Sequence, residues 1–392
     1  MKVAIYSGSI PSTVFIENLI SGLADQDIEV QVFGRNLSST YYSQKNINLF
    51  PTPQNRYYLV CFVLIQIAQL FFKNPIRLIK LIRYYSLIAK KSFYGNLDWW
   101  GMVLPVVNNL PDIFHIQWAK SLNQWFFLKQ LFNIRIFLSL RGTHITCSPL
   151  ADENLAKDYK SLFPRVDKFH AVSKTLKNIA MRYGAKKEDI KVIYSAINYE
   201  NIKPFVKNNW ELTDELNFIS VGRFHWIKGY EYSLMAIKYL LEHDYNVHYT
   251  IISNNFPNEE ILYQIEDLSI NEHVNIINNC SQPEVYENMR KSDCLLLPSI
   301  EEGIANVALE AMAIGLPVIS SDCGGMKDII SHNYNGFLYK NRDYKDLITK
   351  IIQLIHTESN QIKYIVNNGR QNIEKDHDLV LQSRKMINFY NS

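Results

Sequence analysis

Two carboxylates eight positions apart, Glu302 and Glu310, bracket a stretch that reads Glu-Gly-Ile-Ala-Asn-Val-Ala-Leu-Glu. An apolar run at 294–297 ends at Pro298 just ahead of them, and a helix is expected to open near Ala305 or Asn306. Open α/β sheets bind ligands at such places, where the carboxyl end of a strand passes through a loop into a helix. Backbone N–H groups at the helix start suit a phosphate. Glu302 then lies in the loop, and Glu310 lies about one turn into the helix. The neighbouring Glu301 offers a second register, but the eight-residue offset to Glu310 selects Glu302.

Two further segments carry chemistry of the same kind. In Ser220-Val221-Gly222-Arg223-Phe224-His225-Trp226-Ile227-Lys228-Gly229, an apolar strand ends at Gly222 and two cations follow, five residues apart. Arg223 and Lys228 at a strand's carboxyl end can neutralise a departing diphosphate. Taken alone they are also ordinary surface cations. Gly315-Leu316-Pro317-Val318-Ile319-Ser320, with Asp322, Gly324 and Gly325 beyond it, reads as a helix C-cap, a buried strand and a turn. Its last glycines permit close approach of backbone or ligand. The five cysteines show no metal-ligand spacing and no C-x-x-C, so no metal site and reduced thiols are expected.

These segments need a scaffold, and the chain's rhythm supplies one. Short β-branched runs at 3–6, 29–33, 113–116, 136–140, 168–172 and 192–194 alternate with helical stretches. The rhythm restarts at 217–221, 248–252, 274–277, 294–297 and 317–320. Strands alternating with helices predict parallel sheets covered on both faces. The 392 residues suffice for two cores. The polar stretch 203–209, with Pro204, reads as the linker, which predicts domains at 1–205 and 206–370 facing across a cleft.

Residues 57–93 break this pattern with two apolar stretches. The first is interrupted by Gln66 and Gln69 and is marginal in length for a bilayer span. The second carries Arg77, Lys80, Arg83, Lys90 and Lys91 at helical spacing among Leu, Ile and Tyr, the pattern of an interfacial helix. Two buried helices with snorkelling basic residues fit the same pattern. Residues 1–205 hold 25 Lys and Arg against 13 Asp and Glu, a net +12, whereas residues 206–392 carry −9. The basic half points to an anionic partner such as a lipid surface or a phosphorylated substrate. Without a recognition helix or an aromatic–basic strand pattern, nucleic acid is not expected. The short apolar run at the N-terminus does not resemble a signal peptide, so a cytoplasmic location is expected.

Taken together, the Glu302–Glu310 element, the Gly222-Arg223…Lys228-Gly229 element and the 315–325 segment resemble the donor-binding domain of retaining glycosyltransferases of family 4, which have the GT-B fold. The first helix region 11–16, with Ser12, and the stretch 167–191 are similar to that family's N-terminal domain more loosely. The resemblance implies that Arg223 and Lys228 hold the donor's diphosphate and that Glu310 accepts hydrogen bonds from the ribose. It implies that Glu302 contacts the transferred sugar, while the amides of Gly303, Ile304, Ala305 and Asn306 line phosphate and sugar. No metal or other cofactor is implied, because the two cations and the helix start take its place. No residue is marked as a carboxylate nucleophile, so the implied chemistry is positioning plus stabilisation of the leaving group. The C-terminal segment 371–392 is expected to pack back on the first domain.

The sequence departs from the family after the strand at 136–140. Many relatives read His-Gly-x-Asp there, and this chain reads Arg141-Gly142-Thr143-His144. Either Arg141 serves as a cation near phosphate or His144 contacts the acceptor. Ser12 and His115, the latter at the end of the strand at 113–116 beside Trp118, complete the acceptor-side candidates. The segment after 248–252 reads Ser253-Asn254-Asn255 in place of a glycine-rich turn, and nucleobase contacts are expected from Asn279-Cys280-Ser281. The expected function is metal-independent, retaining transfer of a hexose from a UDP- or GDP-sugar to a cell-surface glycan or lipid-linked precursor. A non-catalytic partner of a glycosyltransferase and a sugar-nucleotide epimerase are the alternatives.

Overall fold

A computed structural model describes residues 1–38, 42–88, 93–208, 210 and 212–392, with the backbone alone of Phe93 and Tyr94. The chain divides into two compact units. The first comprises Met1–Ala171, Lys177–Ile193 and Ser383–Ser392; the second comprises Val172–Leu176 and Tyr194–Gln382.

The first unit is built on seven parallel strands: β1 (Lys2–Ile10), β2 (Glu29–Asn36), β3 (Ile47–Thr52), β4 (Ile113–Ile116), β5 (Arg135–Leu140), β6 (Lys168–Ala171) and β7 (Ile190–Val192). Their order is β3-β2-β1-β4-β5-β6-β7. Val3, Ala4 and Ile5 of β1 and all of β4 are buried, as expected of strands covered on both faces. Helix α1 (Val14–Ala24) follows β1. After β3 come α2 (Arg56–Lys73), α3 (Pro75–Ile88) and α4 (Phe93–Asn108). Asn55 caps α2 by accepting from the amides of Tyr57 and Tyr58.

The second unit holds six parallel strands: β8 (Glu215–Val221), β9 (Asn246–Ser253), β10 (Val274–Asn278), β11 (Cys294–Leu297), β12 (Val318–Ser321) and β13 (Phe337–Tyr339). Their order is β10-β9-β8-β11-β12-β13. In this sheet the strand order reverses between β8 and β11, and in the first sheet between β1 and β4. The crevice for a ligand opens at such a point, beyond the carboxyl ends of the strands.

Several expectations need adjusting. Sequence periodicity does not reveal β3 or β13. Both are edge strands; β3 carries polar residues and Pro51, and β13 is only three residues long. Of the expected linker 203–209, residue 209 lies outside the described residues, and 203–208 is no free linker. Lys207 N–H donates to the Ile314 carbonyl at 2.7 Å, and Lys207 Nζ pairs with Asp293 at 3.5 Å. Arg370 donates to the carbonyls of Lys207 and Ile314. These bonds satisfy a helix C-terminus, so the chain from Tyr194 onward is held in the second unit and the division falls before residue 205. Of the C-terminal segment, only Ser383–Ser392 joins the first unit, with Met386, Phe389 and Tyr390 in the core beside Val3, Ile5 and Phe137.

Candidate active site

The two strands at the second sheet's reversal point deliver the two strongest motifs. β8 ends at Val221 and leads directly into Gly222 and Arg223; β11 ends at Leu297 and leads into the loop carrying Glu302. Ile300 N–H donates to the Ile227 carbonyl at 2.7 Å, stitching the two loops together. Gly229 makes this approach possible. It has φ +62, and a Cβ there would lie 2.2 Å from the Pro298 carbonyl oxygen.

The outcome is an ion pair between motifs 74 residues apart. Lys228 Nζ donates to Glu302 Oε1 at 2.6 Å, and Ser299 Oγ donates to the same oxygen at 2.8 Å. Arg223 is exposed and makes no ion pair among the described residues. The Gly324–Gly325 turn lies against the same loop. Gly325 N–H donates to the Glu302 carbonyl at 3.1 Å, and a Cβ on Gly324 (φ +50) would sit 1.8 Å from that carbonyl. These glycines fix the loop's backbone, so the close approach they permit is between chain segments.

The helix Asn306–Ile314 starts at Ala305, whose side chain offers no capping oxygen. Its first N–H groups are therefore left for an anion or water. Gly303, Ile304 and Ala305 are buried and contribute backbone, while Asn306 is partly exposed. Glu310 accepts from Gln282 Nε2 at 3.1 Å and from Tyr286 OH at 3.4 Å. Burial pushes the Glu310 carboxyl up to about 7 against these bonds. Glu301 is also raised to about 7, by burial first and the Glu302 charge second, and its Oε1 has no hydrogen-bond partner among the described residues. Asn255 ties the β9 loop to the motif, accepting from Phe224 N–H at 2.9 Å and donating to its carbonyl at 3.1 Å. The neighbouring stretch contributes Asn279 in the left-handed region (φ 60) and Ser281 as the capping-box residue of helix Gln282–Lys291. Ser299, Gln282 and Tyr286 were not singled out from sequence, because their roles arise only where distant loops meet.

The acceptor-side candidates lie in the first unit. Arg141 follows β5 and donates through Nη2 to Gln117 Oε1 at 3.1 Å; its guanidinium lies 4.6 Å from the centre of the Phe15 ring. The His144 and Trp118 rings are 5.0 Å apart, and the Tyr159 hydroxyl donates to the His144 carbonyl at 2.9 Å. Ser12 donates its N–H to Glu17 at 2.6 Å. His115 does not reach solvent. It is fully buried, with Nδ1 bonded to the Tyr390 hydroxyl at 2.7 Å and Nε2 to Ser139 Oγ at 2.9 Å. Burial holds it in the neutral form, so its part is structural. A cavity of about 460 Å³ near the ends of β2 and β4 is lined by Arg35, Tyr84, Asp98, Trp99, Asn123 and Gln124. Among the described residues no group of three His, Cys, Asp or Glu side chains is placed to hold a metal.

Comparison with known proteins gives these sites a context. The family model "Glycosyltransferase Family 4" matches residues 12–201, and "Glycosyl transferases group 1" matches residues 203–382. The chain is 26% identical over 260 residues to the amylovoran biosynthesis glycosyltransferase AmsK of Erwinia amylovora, covering 63% of each chain. It is 28% identical over 238 residues to the capsular polysaccharide biosynthesis glycosyltransferase CapM of Staphylococcus aureus, covering 57% of this chain and 60% of the relative. These matches span less than two thirds of the relatives' own length. The structure of Anabaena HepE in complex with UDP superposes over 100% of both chains with a TM-score of 0.72 at 17% identity. With two family models in succession along its length and two parallel α/β units of this kind, the chain belongs to the group 1 glycosyl transferases and has the GT-B fold.

Proposed function

We propose that this chain is a metal-independent, retaining hexosyltransferase that takes a UDP- or GDP-sugar as donor and builds a cell-surface polysaccharide or its lipid-linked precursor. The observation that carries the reading is the meeting of Lys228 and Glu302 at the reversal point of the second sheet, beside an uncapped helix start. Lys228, Arg223 and the helix N–H groups stabilise the charge that develops on the leaving diphosphate. Glu302 receives the sugar's hydroxyls, and Glu310 receives those of the ribose. Asn279, Cys280 and Ser281 face the base. The C–O bond to the diphosphate breaks as the acceptor oxygen bonds the same face of the sugar, and the acceptor's proton passes to the departing phosphate. Glu302 is held by Lys228 and Ser299, an arrangement suited to positioning rather than to nucleophilic attack.

AmsK and CapM, named for polysaccharide biosynthesis, support the acceptor class, and the HepE complex makes UDP-sugars the first donors to test. The cavity beside Trp99 has the aromatic wall and amide groups that an acceptor sugar requires. The proposed location is the cytoplasm, with α2 and α3 resting on an anionic membrane surface. The test is release of nucleoside diphosphate from a panel of nucleotide sugars with a chelator present, comparing wild type with R223A, K228A and E302A. Losing one preorganised donor costs about 3–4 kcal/mol, or 10²–10³ in kcat. Near-normal turnover in K228A places the diphosphate elsewhere, and absence of both turnover and nucleotide binding favours a non-catalytic partner.

A further inference from the structure

Arg141 is a cation without an anion. Its guanidinium sits over the Phe15 ring and, among the described residues, donates one hydrogen bond, to Gln117 Oε1, while its Nε is shielded from solvent and unpartnered. Among the described residues it forms no ion pair. Glu17, on the same helix as Phe15, is already occupied by the Ser12 amide and the Tyr42 hydroxyl. Beside it, Gln117 is fully buried and its Nε2 also has no partner among the described residues. The surrounding polar groups, His115, Ser139 and His170, bond to one another and supply no negative charge.

Two shielded donors and a partly exposed guanidinium lacking a carboxylate are costly to maintain, because a charge drawn partly out of water needs a partner. The position gives them a use. Gln117 and Arg141 stand just beyond the carboxyl ends of β4 and β5, and Phe15 belongs to the first turn of α1, whose cap residue Thr13 makes no side-chain capping bond. Orphan N–H groups of an eleven-residue helix thus lie at the foot of the same ring that carries the guanidinium.

We propose that Arg141, with Gln117, forms an anion site in the first unit that takes a carboxylate or phosphate carried by the substrate, so that this enzyme handles an acidic sugar or a phosphorylated acceptor. The inference rests on the glycosyltransferase reading for its substrate, and its test includes a part read without turnover. In an R223A/K228A background, the thermal midpoint is measured in inorganic phosphate and in glucuronate against chloride at matched ionic strength, with Arg141 kept or changed to Gln or Lys. Arg141 should give a rise of several degrees with one of the two anions, Lys a smaller rise and Gln none. In chloride, R141Q should melt about 2–4 °C higher than its parent, because an unpaired charge has been removed. A lower midpoint in chloride, or the same anion response in Arg141 and Gln forms, overturns the site.

With otherwise wild-type enzyme, R141Q should lose roughly 10- to 100-fold in kcat/KM on the acidic substrate and far less on its neutral counterpart. A loss confined to uronate donors locates the charge on the donor, and one confined to phosphorylated acceptors locates it on the acceptor. An equal loss on neutral and acidic substrates overturns the proposal. If no nucleotide sugar is turned over by wild type, the functional reading fails, and the anion-binding measurement still decides this site.

Discussion

Glu310 illustrates how a single side chain ties pH to binding. Its carboxyl is pushed up to about 7 by burial, against bonds from Tyr286 and Gln282. In the proposed donor complex the ribose hydroxyls donate to the ionised form, so donor affinity should strengthen as pH rises through 7. A group with a pKa near 7 goes from about one tenth to about nine tenths ionised between pH 6 and 8, which predicts roughly an order of magnitude in Kd. Calorimetric titration at the two pH values checks this, and E310Q should bind weakly at both. The same shift acts on folding in the opposite direction. Between about pH 4.3, where an unfolded glutamate titrates, and about 7, the folded chain holds protons that the unfolded chain has released. Stability contributed by Glu310 and Glu301 therefore falls as pH rises through that window. In a donor-free melt, E310Q should flatten part of that slope.

At the scale of elements, α2 and α3 are the segments whose packing the fold does not complete. In α2 the stripe Leu59, Val63 and Leu70 is buried, while Tyr57, Leu64, Ile65 and Phe72 are 56–85% exposed. By length and composition α2 could cross a membrane, and 17% of it is buried. In α3, Leu78 and Leu81 are buried while Ile76, Ile79 and Ile82 face outward. Residues 56–88 carry Arg56, Lys73, Arg77, Lys80 and Arg83 and no acidic residue. Lys90 and Lys91, part of the same basic pattern in sequence, lie outside the described residues. Like charges oppose pairing with a second copy and favour an anionic lipid surface, at about 1 kcal/mol per basic residue near the surface. F71D/F72D should abolish co-sedimentation with phosphatidylglycerol vesicles while shifting stability by under about 0.5 kcal/mol. Unchanged vesicle binding would remove α2 from the proposed membrane contact. The buried Leu70→Ala, by contrast, should cost about 2–5 kcal/mol.

For the whole molecule, the chain's end is part of the first unit's core. Tyr390 is fully buried, bonds His115 at 2.7 Å and packs against Phe137 at 5.8 Å between ring centres. Tyr390→Ala should therefore destabilise the first unit by about 3–5 kcal/mol, read as a lowered calorimetric transition. If the transition does not move, the last ten residues are dispensable for that core.

The sequence alone determined what depends on neighbours in the chain. The alternation of β-branched runs with helical stretches specified two parallel α/β sheets, because strand and helix periods are local properties. The helix opening at Asn306 and the αL cap at Gly315 were legible for the same reason. Tertiary structure decided everything set by contacts between distant segments. It joined Lys228 to Glu302, drew 203–208 into the second unit, buried His115 beneath Tyr390 and left Arg141 without a carboxylate among the described residues. Those outcomes depend on which strand ends the sheet order brings together, and residue spacing carries no record of that order.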